Sequence, residues 1–176
     1  MDDIVKAALA KWPDVPHAYG WLGLDARGDW YLRDERAQAA GPFPQRKGSR
    51  IEHEGLRAFI ERNYDCDERG CWFFQNGPQR VYVELEAAPW VLRVQGDEVR
   101  NHSGQRSLPH ATWVDERGRL FAHTAHGLGL VHTQDVEAAS QLLEQGRWPE
   151  PQEMPFAKMP SRFGYRLSPQ QDPGTH

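Results

Sequence analysis

The chain has 176 residues, 39% of them hydrophobic and 26% charged, with a net charge of −4 and both signs interspersed. This is an ordinary globular composition on a chain long enough to bury a core, and no window approaches the ~20 apolar residues a spanning helix needs. The densest basic stretch, Arg46-Lys47-Gly48-Ser49-Arg50, is short, so the clustered positive footprint of a nucleic-acid binder is missing. The start, Met1-Asp2-Asp3-Ile4, has neither the basic nor the apolar part of a signal peptide. A cytoplasmic protein with reduced thiols is therefore expected.

Residues 2–12 predict a short helix capped by Asp2 or Asp3, with Ile4, Val5, Ala8, Leu9 and Trp12 on one stripe and Pro13 and Pro16 as its stop. Residues 19–24 then enter a hairpin. Its turn, Asp25-Ala26-Arg27-Gly28, recurs as Asp67-Glu68-Arg69-Gly70 and Asp115-Glu116-Arg117-Gly118. Each copy is followed, one residue later, by a large apolar pair: Trp30-Tyr31, Trp72-Phe73 and Leu120-Phe121. Asp suits the first position of such a turn, and Gly its close, where φ is often positive.

Residues 34–50, polar and rich in Ala, Gly and Pro, read as a loop. A second helix is expected at 52–63, burying Leu56, Phe59 and Ile60 and stopping at Asn63. After the second hairpin comes the Asn76-Gly77 turn and the alternating run Arg80-Val81-Tyr82-Val83-Glu84-Leu85-Glu86, the pattern of a half-buried antiparallel strand. Trp90 to Val94 is a further strand, and the polar residues 96–109 are the calmest place for a seam, with one short strand near 98–100. The third hairpin, a strand over 127–131, and a third helix capped by Thr133 and stopped by Gly146 follow. The last thirty residues hold six of the thirteen prolines, with apolar anchors from Trp148 to Tyr165. They read as an arm packed on its own domain, or else as a partner-binding segment.

These elements predict an α+β fold: an antiparallel, hairpin-built sheet with about three short helices packed on one face. Hairpin, loop and helix occur at 19–63 and again at 110–145, which suggests an internal ββα duplication. A single domain over 1–168, divisible into halves 1–95 and 96–168, with a disordered tail at 169–176, is the expected organisation.

Candidate chemistry is sparse. His110, His123, His126 and His132 would ligate a metal only if they converged, and on a regular strand His123 and His126 point apart; surface histidines are the simpler reading, and no metal site is assigned. Cys66 and Cys71 flank a turn at the wrong spacing for a thioredoxin-type pair, leaving a thiol sensor as a minor alternative. The polar hairpin tip, Gln75, Asn76, Gln79 and Arg80 with Tyr82 beyond it, is the candidate binding patch. No nucleophile elbow, phosphate-binding Gly-rich loop or His-Glu-x-x-His motif is present, so no catalytic residue and no cofactor are assigned.

The run Trp12-Pro13 through Tyr19-Gly20-Trp21-Leu22 and Leu24-Asp25, together with Trp72 to Val83 and Pro89-Trp90, resembles an uncharacterised proteobacterial family of small proteins. The resemblance implies no activity and transfers no catalytic residue. The functional expectation is a non-catalytic binding or adaptor protein, with a protein partner or a homodimer through a sheet edge or the C-terminal arm, and without nucleic acid or membrane. A histidine-based metal-dependent or small-molecule enzyme is the rival.

Overall fold

A computed structural model describes residues 1–171; of the tail expected at 169–176, residues 172–176 lie outside it. The chain divides into two compact units, one of Met1–Asp25, Asp29–Glu86 and the segment from Tyr165 onward, the other of Ala26–Gly28 and Ala87–Gly164.

The first unit runs α1 (Asp3–Lys11), β1 (Ala18–Leu24), β2 (Trp30–Leu32), α2 (Glu35–Ala40), β3 (Ser49–Arg50), α3 (Glu54–Arg62), β4 (Tyr64–Cys66), β5 (Trp72–Asn76) and β6 (Gln79–Leu85). Its sheet has the order β3-β2-β1-β6-β5-β4. The second runs β7 (Trp90–Gln95), β8 (Glu98–Asn101), β9 (Arg106–Ser107), β10 (Ala111–Val114), β11 (Leu120–Thr124), β12 (Gly127–Val131), α4 (Val136–Glu144), β13 (Gln152–Glu153) and α5 (Met159–Phe163). Its sheet has the order β13-β10-β11-β12-β7-β8-β9.

The single antiparallel sheet with three helices is thus incorrect: there are two mixed sheets and five α-helices among the described residues. Each sheet joins two antiparallel three-stranded meanders by one parallel pair, β1 with β6 and β7 with β12. Adding six to every strand number of the first order gives the second without β13. The duplication is therefore of whole sheets, and the equivalent turns are those at 67–70 and 115–118, which contradicts the ββα pairing of 19–63 with 110–145. Both faces of β6 are covered: Tyr82 to Leu85 are all buried, with Tyr19 stacked on Tyr82 and Ser168 bonded to Glu84, where alternation alone predicts one solvated face.

The repeated turn is the local device under both sheets. Asp67 Oδ1 accepts from the amides of Arg69 and Cys71, and Asp115 Oδ1 from those of Arg117 and Arg119. Asn101 Oδ1 accepts from Ser103 and Gln105 in the same way, a fourth copy hidden by its Asn-His-Ser-Gly spelling. Asp25 Oδ1 takes the Asp29 amide. In all four the glycine sits at positive φ, from 74° to 86°, where a Cβ would be strained. The acids also hold cations: Lys47 lies 3.1 Å from Asp25, Arg69 3.0 Å from Asp67 and Arg119 2.8 Å from Asp115.

The helices follow their caps. The Asp34 carboxylate accepts from Ala37 N and opens α2 within the expected loop; α2 buries no residue, so it shows no apolar stripe. His53 caps α3 and His132 caps the turn before α4, each through Nδ1 to the amide two or three residues on. Of the expected α1 stripe only Val5 is buried, while Ile4 and Trp12 stay exposed.

Two buried polar side chains fix the loops. Arg33, 1% exposed, donates to the carbonyls of Gly20, Gly41 and Arg46. Arg33→Met should lower stability by on the order of 3 kcal/mol in urea unfolding, because three carbonyls lose charged donors. In the second unit, His102 sits in the fourth turn with its ring 5.0 Å from Trp90, and Nδ1 accepts from Val91 N. Burial pushes its imidazole from the usual 6.5 down to about 3. The neutral ring is the folded form, so its contribution is complete above pH 6.5 and is lost as pH falls toward 3. His102→Gln, which keeps an acceptor for Val91, should flatten the stability-against-pH curve in that interval.

Candidate functional site

An apolar groove of about 490 Å³ opens in the first unit, between α3 and one face of the sheet. Leu56, Phe59 and Ile60 form the helical wall; Leu22, Leu32, Phe74 and Val81 form the floor. Phe59 meets Phe74 edge-on at 5.6 Å. No charged side chain lines it, and Asn76 and Gln79 supply its amides. Three large side chains remain open to solvent along it: Trp21 at 39%, Leu32 at 52% and Leu56 at 43%.

Trp21 reaches the groove because β1 is irregular. The pairing with β6 shifts between Ala18 and Leu22, so that four steps on β1 match two on β6. Gly20 stands within this bulge at φ 85°, and the bulge turns both Trp21 and Leu22 to the same opening. The Arg33 guanidinium holds the Gly20 carbonyl, and the Arg33 amide donates to the Trp21 carbonyl.

The candidate binding residues are divided by the pleat of β5 and β6. Asn76 and Gln79 lie on the groove face; Gln79 Nε2 also donates to the Pro16 carbonyl at 3.1 Å. Gln75, Arg80 and Tyr82 lie on the other face. Gln75 is 1% exposed and donates to the Gly77 carbonyl, closing the hairpin tip. Arg80 stacks on Phe73 at 4.3 Å, and Tyr82 donates to Asp67 at 2.8 Å.

The histidines do not converge. His110, just before β10, and His123 on β11 have ring centres 6.2 Å apart, His126 occupies the β11–β12 turn and His132 caps the turn before α4. Among the described residues no three His, Cys, Asp or Glu side chains are grouped to hold a metal. Cys66 and Cys71 are not joined by a disulfide, and burial with the nearby Asp67 and Asp65 pushes the Cys66 thiol up to about 12, the opposite of a reactive thiolate. Asp25, Tyr31 and Lys47 form a second charged cluster, with Tyr31 and Lys47 both bonded to Asp25 Oδ2. Burial and Asp25 raise the Tyr31 phenol; the Lys47 ammonium, despite its burial, is held up by Asp25 and Glu86. A base or nucleophile would need both lowered.

A family model described as "Protein of unknown function (DUF2946)" matches residues 1–170. The chain belongs to this family. The expectation of an uncharacterised family agrees with that membership, and no activity comes with it. The chain's fold is similar to that of a DUF1285 family protein from Silicibacter pomeroyi DSS-3, with a TM-score of 0.51 and 13% identity over 81% of this chain and 85% of that one. A DUF1285 family protein from Shewanella baltica OS155 is matched at a TM-score of 0.44 and 14% identity, over 69% of this chain and 91% of that one. At such identities the likeness is one of fold alone. No curated protein matches this DUF2946 chain. No helix among its described residues is long and apolar enough to cross a membrane.

Of the C-terminal anchors, Trp148, Met159 and Tyr165 are buried, and Met154, Phe156 and Phe163 are half-buried. Beyond them Leu167 O accepts from Leu85 N, and the Ser168 hydroxyl donates to Glu84 Oε1 at 2.6 Å. Glu84 Oε2 is buried without a partner, and desolvation raises this carboxyl above its ordinary value in spite of Ser168 and Arg33. The neutral form is favoured in the folded state, so the group's contribution is full below pH 4.5 and is lost as pH rises through the raised value. Glu84→Gln should therefore raise the thermal midpoint at pH 8 and leave it unchanged at pH 4, followed by circular dichroism.

Proposed function

We propose that this DUF2946 family member is a non-catalytic binding protein whose site is the groove between α3 and the first sheet. Its ligand is an elongated apolar molecule with an uncharged polar head. The observation that carries the reading is the exposure of Trp21, Leu32 and Leu56 around one opening of about 490 Å³. Large apolar side chains gathered in this way mark binding surfaces, and the volume falls in the range of small-molecule sites, roughly 300–1,000 Å³. The lining supplies amides at Asn76 and Gln79 and no cation, which suits a hydroxyl or amide head and leaves a carboxylate without a partner. Two residues of the sequence-derived patch thus acquire a role as head-group partners.

Nile red should shift to the blue on the wild-type protein at one site per chain. Dodecanamide should displace it better than dodecanoate. Trp21→Ser and Leu56→Asn, both at half-exposed positions, should weaken binding at least about tenfold, the loss expected when one large apolar contact of about 1.4 kcal/mol or more is removed. An unshifted dye, or variants that bind as tightly as wild type, would overturn the reading.

A further inference from the structure

The other face of β6 carries a cationic cluster that the groove does not use. Arg80, near the start of β6, has its guanidinium carbon over the Phe73 ring, 4.3 Å from the ring centre, and reaches the Tyr82 hydroxyl only at 3.5 Å. Across Tyr82 stands Arg69, on the second repeated turn, with its guanidinium 5.7 Å from the Tyr82 ring. Tyr19 stacks on Tyr82 at 4.7 Å, and His17 meets the same ring edge-on at 5.7 Å. The C-terminal segment adds Arg166, whose Nε donates to the Arg69 carbonyl at 3.3 Å.

The carboxylates nearby are already committed. Asp67 Oδ1 takes the amides of Arg69 and Cys71; its Oδ2 takes Arg69 Nε and Nη2 and the Tyr82 hydroxyl. Asp65, opposite Phe73 on β4, turns Oδ1 to the amide of Cys66. Arg80 makes no ion pair among the described residues. In a chain of net charge −4, a half-buried guanidinium held by a ring and one long phenol contact has most of its five donors directed to something other than protein. The ring contact fixes the position of the guanidinium, and the donors it leaves over suit an oxyanion.

We propose that Arg80, with the positive charge of the Asp67-bound Arg69 beside it, forms a binding site for a small oxyanion, a phosphoryl or carboxylate group, on the face of the first sheet opposite the groove. Arg80 supplies the fork, and Asp67 positions Arg69 and orients the Tyr82 phenol. Arg166 adds positive charge at the rim, which predicts a salt-dependent affinity.

The intact protein is titrated with inorganic pyrophosphate and, separately, with citrate, following the arginine Nε–Hε signals by NMR at low and physiological ionic strength. Saturable shifts of Arg80 and Arg69 are expected with at least one of the two anions, weakening as salt rises. The tighter anion identifies the group as phosphoryl or carboxylate. Arg80→Gln should lower the affinity at least about tenfold, and Arg80→Lys, which keeps the charge without the fork, should fall between. A purely structural stack on Phe73 predicts a lower thermal midpoint for Arg80→Gln with no anion binding to lose. Absence of saturable shifts with both anions, or an Arg80→Gln protein that binds as tightly as wild type, overturns the proposal. Dye binding in the groove is read separately, and its failure leaves this outcome unaffected.

Discussion

The first unit is organised around the guanidinium of Arg33. Its donors end on the carbonyls of Gly20, Gly41 and Arg46, which tie the bulge of β1 to both ends of the stretch that follows α2. The Gly20 carbonyl would otherwise be a buried acceptor without this donor. The bulge turns Trp21 outward, and the returning stretch brings Lys47 to Asp25 and places β3 on β2. Removal of this one cation would release the acceptors that shape the groove's rim and the loop behind it.

The same physics explains which parts of the fold could be read from the chain. Turns and helices are local events. An Asp that accepts from amides two and four residues on, followed by a Gly at positive φ, is visible in four letters, and three of the four copies stand out on that basis. The copy at Asn101 escapes because amide and carboxylate do the same work under different spelling. Likewise α2 has a good cap but no buried stripe, so periodicity is blind to it. The pairing of β1 with β6 and of β7 with β12 joins strands remote in sequence, and nothing in either strand marks its partner. A hairpin reading therefore arrives at an antiparallel sheet.

The candidate site was legible in part for a related reason. The tip from Gln75 to Tyr82 is conspicuous as a polar island between apolar runs, yet successive residues on a strand serve opposite faces. One island became three roles: Asn76 and Gln79 at the groove, Gln75 inside the hairpin, and Arg80 and Tyr82 on the far side. The groove's apolar members come from five separate elements. Each looks like core on its own; only their failure to be covered distinguishes Trp21, Leu32 and Leu56, and coverage is a property of the assembled unit.

The return of residues from Tyr165 onward to the first unit has a consequence for synthesis. Arg166 and Leu167 bond to Gly70 and Leu85, so the first sheet waits for a segment made after the whole of the second unit. On the ribosome the second unit can close as soon as residue 164 has emerged, whereas the first must stay incomplete until after that. The order of completion is the reverse of the order of translation. A ribosome-bound nascent chain lacking those residues would hold the Leu85 amide and the Gly70 carbonyl without their partners while the second unit is already finished, and this is the stage at which the protein would most need shielding from its neighbours.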